Sequence, residues 1–133
     1  MKRNATITVR GAEGVCVVRG TWEQTAEGWL LAYDEPEETE MGAVRTSLAI
    51  MDGAACLTRA GAVRSVFRFD PRAPHSSLYE TPYGSFPAEV VTHALRRRLG
   101  ERGGLFEARY TLTIGGATDE RALKILIRTE DDT

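Results

Sequence analysis

Few side chains in this 133-residue chain have types and spacings that could carry chemistry. The sharpest is Arg59. In "CLTRAG", Leu57 and Arg59 fall on one face of a strand, two positions apart. A guanidinium at the end of an apolar row asks for a carboxylate or phosphate. Placed outward at the strand end, the same group would make an ordinary surface ion pair. Thr46, Tyr79, Thr92 and Tyr110 lie on similar rows, as polar groups among apolar neighbours. Buried polar groups need partners. These five residues either satisfy one another with trapped water, or together line a site for a small ligand.

Other chemistries find little support. Ser76, Ser77 and Ser85 lie near His75 and His93, but no Gly-x-Ser-x-Gly elbow surrounds them. Cys16 and Cys56 sit in apolar runs, where burial raises a thiol pKa instead of activating it. They make no disulfide framework and lack C-x-x-C spacing. The acidic loop "DEPEETEMG", Asp34 to Gly42, lacks the ordered carboxylates of a calcium loop. A haem ligand would have to be His93 pointing inward, yet alternation puts it outside with Glu89. The expectation is no catalytic residue, no metal ligand and no cofactor.

Partners are bounded by charge. The formal net charge is −2, which gives no global field for nucleic acid or anionic lipid. Arg96, Arg97, Arg98 and Arg102 have no aromatic residue among them, so a solvated hairpin tip is favoured over base stacking, and no nucleic-acid partner is expected. No apolar stretch approaches the roughly 18 residues of a membrane span, so no membrane is expected. The N-terminus "MKRNATITVRG" enters alternation at once, without the apolar core of a signal peptide. A reducing cytoplasm is the expected location.

The elements that must position these residues are strands. Period-two alternation runs through "ATITVRG", "GVCVVRGTW", "GWLLAYDE", "AVRTSLAIM" and "AACLTRAG", and again through "AVRSVFRF", "SSLYET", "GGLFEARYTLTIGG" and "ERALKILIR". Asp52-Gly53 is the strongest hairpin signal. Val91, Leu95 and Leu99 would also suit a helix, but the β-branched residues before them and the Gly pair after them favour strand. Eight to ten strands with short turns and no crossover helices imply an all-β, antiparallel up-and-down meander, spanning residues 1–133 as one domain. Closure into a barrel removes the edges an open sheet would expose; a sandwich is the alternative.

"YETPYGSF", Tyr79 to Phe86, interrupts this alternation. Pro82 fixes its own φ and Gly84 supplies a positive one, so the stretch reads as a type II turn. Together with "LTRAG" at Leu57 to Gly61, Phe69, Thr92 and the closing "GGLFEARYTLTIGG" with its following strand, it resembles a bacterial family of unknown function typified by YwiB. That resemblance implies a calycin-like, or lipocalin-like, β-barrel and brings no established activity.

The leading functional reading is a non-enzymatic small-molecule binding barrel for an apolar or weakly anionic ligand, held by Arg59, Tyr79, Tyr110, Thr46 and Thr92. The competing reading is an interaction or scaffold protein with a packed barrel; an enzyme is carried third. A contiguous lumen above roughly 300 Å³ would favour the first, and a filled core with an apolar external strip the second. A homodimer, in which the acidic loop and the arginine run could meet, is left open.

Overall fold

The computed structural model describes residues 2–12, 14–35 and 44–130. Much of the acidic loop therefore lies outside the described residues. Ten strands follow one another: β1 (Lys2–Gly11), β2 (Gly14–Thr25), β3 (Gly28–Asp34), β4 (Val44–Met51) and β5 (Ala54–Gly61), then β6 (Ser65–Phe69), β7 (His75–Thr81), β8 (Gly84–Gly100), β9 (Gly103–Ile114) and β10 (Ala117–Thr129). They form one antiparallel sheet in the order β6-β5-β4-β3-β2-β1-β10-β9-β8-β7. The chain thus runs up and down as the short turns demand, and its first and last strands pair with each other.

The outer members of that order, β6 and β7, meet at a single bridge between Arg64 and Glu80. Arg64 N–H donates to Glu80 O at 2.9 Å and Glu80 N–H donates back to Arg64 O at 2.8 Å. The barrel is nearly closed, with one narrow seam.

Alternation decides which rows face in. On β4, Val44, Thr46, Leu48 and Ile50 are buried while the intervening residues are not; on β9 the inward set is Phe106, Ala108, Tyr110 and Leu112. Leu31, Leu48, Phe69, Phe106 and Ile125 fill the middle of the barrel, each 1% exposed or less. At one end Trp22 stacks on Trp29 with centroids 5.0 Å apart, and its indole N–H donates to Gly100 O at 2.9 Å. This is the Trp22 mouth; the opposite end is the Arg59 mouth.

Strand β8 contains a device that alternation alone does not announce. The register of β8 on β9 slips between Thr92 and Ala94, leaving His93 as the extra residue of a bulge. Ala88, Val90 and Thr92 face the core before it, whereas Leu95, paired with buried Ala108, faces in after it. The whole span is strand, so the helical spacing of Val91, Leu95 and Leu99 is incidental.

The Thr81–Gly84 corner corrects one expectation. It is a two-residue turn with Pro82 and Tyr83 at its centre. Among the described residues, which include Tyr83, no non-glycine residue has positive φ, so Tyr83 cannot occupy the third position of a type II turn. The corner is held by the Thr81 hydroxyl, which accepts from Tyr83 N–H at 3.1 Å and donates to Gly84 O at 3.2 Å. Gly84 itself has φ +139. A Cβ there would meet only the Phe86 ring, at 3.8 Å, whereas one on Gly104 (φ +137) would run into the Arg98 carbonyl. Gly84→Ala should therefore cost about 1–2 kcal/mol through backbone strain alone. Gly104→Ala, with strain and a backbone clash, should cost at least about 1 kcal/mol more. Urea midpoints of the two variants check both; equal losses would contradict the assignment of causes.

Candidate functional site

The register of five strands assembles a polar girdle just inside the Arg59 mouth. Tyr33 on β3 pairs with Thr46 on β4, Thr46 with Arg59 on β5, and Arg59 with Ser65 on β6. The Arg64–Glu80 bridge then sets Ser65 opposite Tyr79, and Tyr79 pairs with Phe86 on β8. Cross-strand neighbours on one face stand about 5 Å apart, so Tyr33, Thr46, Arg59, Ser65 and Tyr79 form one continuous band. The Tyr79 ring lies over Phe67, with centroids 6.4 Å apart.

Glu35 completes the girdle. Its backbone N–H donates to Val44 O at 2.8 Å, extending the β3–β4 pairing by one residue. Two positions beyond Tyr33, its side chain turns to the same side as the phenol. Its carboxylate accepts from Arg59 Nη2 at 2.7 Å. Both side chains are about three-quarters shielded from solvent, at 26% and 22% exposure. Burial works against the Arg59 charge, but the hydrogen bond and charge of Glu35, aided by Tyr79, hold its pKa above the ordinary value.

The girdle is incompletely satisfied. Among the described residues, Thr46 Oγ1, Arg59 Nε and Ser65 Oγ, on register-adjacent residues, are buried with no partner in hydrogen-bonding geometry, although the Tyr33 phenol acts on Thr46 and the Tyr79 phenol on Arg59. Thr46 is 0% exposed and Ser65 4%. Unpartnered buried polar atoms of this kind mark a place for water or a ligand. Tyr33 is desolvated here: burial, and then the negative charge of Glu35, push its phenol up to about 12. The same two causes, in the same order, raise the Cys16 thiol. Tyr33 therefore remains an O–H donor across the neutral range.

Of the five residues singled out from sequence, the structure brings Thr46, Arg59 and Tyr79 together. Thr92 and Tyr110 form a separate group. They pair across β8 and β9, Tyr110 packs on Phe69 with centroids 4.8 Å apart, and the Thr92 hydroxyl accepts from Asp70 N–H at 3.1 Å. That hydroxyl anchors the turn after β6. Sequence reasoning missed Tyr33, Glu35 and Ser65. His93 points outward, bonded to Thr111 Oγ1 at 2.6 Å. Two concavities lie around the Trp22 mouth: a groove of about 290 Å³ beside Trp29, Ile50 and Met51, and a pocket of about 60 Å³ beside Arg3 and Glu101.

Comparison with family models matches residues 4–125 to a domain of unknown function, DUF1934. The chain belongs to that family. Among solved structures, the ywiB protein from Bacillus subtilis is similar, with a TM-score of 0.83 at 22% sequence identity, covering 98% of this chain and 94% of that one. At that identity the likeness concerns the fold, and it agrees with a calycin-like barrel. Comparison with curated proteins returns no match. Among the described residues no helix is long and apolar enough to cross a membrane, a statement that does not bear on strands.

The Tyr33 environment makes a prediction about pH. The phenol ordinarily ionises near 10 and in the fold near 12. Between those values the folded state binds more protons than the unfolded state. Stability that is fully present below pH 10 is thus lost as pH climbs towards 12, by about 2–3 kcal/mol. Tyr33→Phe should remove the latest phenolate step from an alkaline absorbance titration and reduce that loss, leaving the phenol of Tyr110, which burial also raises. Complete ionisation of all the tyrosines near pH 10 would contradict the placement.

Proposed function

We propose that this barrel binds a small anionic molecule at the Arg59 mouth, without catalysis. The observation that carries the reading is the run Thr46–Arg59–Ser65, three register-adjacent residues each with a buried polar atom lacking a partner among the described residues. The filled middle of the barrel argues against a ligand with a long apolar tail, because Leu48, Phe69 and Phe106 already occupy the space. The ligand this geometry suits is compact, with its charge on Arg59 and its body between Tyr33 and Tyr79. The free cysteines Cys16 and Cys56 suit a reducing cytoplasm.

A second reading has its own observation. Val17, 64% exposed, and Leu126, 46% exposed, flank Thr8 on the outer face of β2, β1 and β10, with Val15 beside them. This strip supports an interaction role through a homodimer. Light scattering distinguishes it: a dimer that Val17→Asp dissociates supports the reading, and a wild-type monomer removes it.

The anion reading is tested by calorimetric titration with acetate, benzoate and phosphate. Charge-assisted hydrogen bonds contribute about 1.5–3 kcal/mol, so Arg59→Met should weaken whichever anion binds by about tenfold or more. Arg59→Lys, which keeps the charge but loses the forked donors, should fall in between. Equal affinities in wild type and Arg59→Met would overturn the assignment.

A further inference from the structure

Resting on the anion-site reading, we infer that the ligand is a monocarboxylate and that Glu35 occupies its seat in the free protein. Arg59 presents a fork of donors suited to a carboxylate held in two parallel bonds. Glu35 uses only Nη2, at 2.7 Å, and leaves the buried Nε without an acceptor. A residue tethered to the end of β3 satisfies half of the fork; an untethered carboxylate can satisfy both halves. The Thr46 and Ser65 hydroxyls flank Arg59 on either side in register and can donate to a second oxygen.

Charge balance selects the class. Among the described residues, the girdle holds one cation, Arg59, and one anion, Glu35, joined to each other. When Glu35 moves aside, one positive charge remains, and a monoanion neutralises it. A phosphate dianion would add a negative charge beside Glu35, which stays tethered next to the site. A second pair, Arg121 with Asp119 at 3.0 Å, lies nearer Tyr110 and adds no net charge. The tyrosines complete the fit. Tyr33 is a protonated donor beside the fork, and the Tyr79 ring, backed by Phe67, offers a flat apolar wall suited to a planar acid such as benzoate.

The test compares benzoate and inorganic phosphate on wild type, Glu35→Gln and Glu35→Ala at neutral pH, by calorimetry. Removing the resident carboxylate should tighten benzoate binding at least tenfold in both variants, and phosphate binding by less. The gain should vanish in the double variant Glu35→Gln/Arg59→Met. If Glu35 does not compete, benzoate binds wild type and both variants alike; that sinks this inference and leaves Arg59 as an anion anchor. A larger gain for phosphate than for benzoate would overturn the monocarboxylate class. If neither anion binds wild type or either variant, with all three shown folded by thermal melts, the underlying anion-site reading falls and this inference with it.

Discussion

Closure of the sheet is the constraint on which the rest depends. Every strand in a meander leaves two polar edges, and an open ten-stranded sheet would expose one at each end. Here the two remaining edges meet through the reciprocal hydrogen bonds of Arg64 and Glu80. That bridge also fixes the register across the seam. It brings Tyr79 level with Ser65, and so joins the β7 side of the barrel to Tyr33, Thr46 and Arg59 on the other side. Without it the girdle would be an open row on the edge of a sheet.

Below the girdle the barrel is apolar and full; within it, polar groups outnumber their partners. The two zones have different energetics. A large side chain such as Phe69 or Phe106 contributes through area removed from water, about 25 cal/mol per Å². The Arg59–Glu35 pair is set against a desolvation penalty that its mutual attraction offsets only in good geometry, so it is weak evidence of a stability role. On the proposed reading, a half-buried pair that leaves one donor of the fork empty serves as a site and not as a brace.

Much of this was legible in the sequence. Alternation revealed the strands, and the Asp52-Gly53 turn even fixes a register: Thr46 and Arg59 are equidistant from its centre, and they pair. The same counting fails on either side. Tyr33 and Glu35 are separated from β4 by residues 36–43, too long a connection for their position opposite Thr46 to be counted. Ser65 follows a three-residue connection, residues 62–64, and looks like any solvated serine near a turn. Thr92 was readable as inward, but not as the acceptor for Asp70, because that contact crosses from β8 to the turn after β6. The bulge at His93 was hidden too, since an extra residue reverses the inward parity of β8 without altering its composition. Local pattern thus reveals which residues face in, whereas loop length and bulges decide which of them meet.

The central claim is that Arg59 Nε is the vacant donor of an anion site. The most direct measurement is the Arg59 Nε–H resonance, assigned by its loss in Arg59→Lys, followed while benzoate is added. The account predicts a progressive downfield shift and slower solvent exchange at this one guanidinium as the fork acquires its second acceptor. A resonance that stays unmoved while benzoate saturates another part of the protein would contradict it.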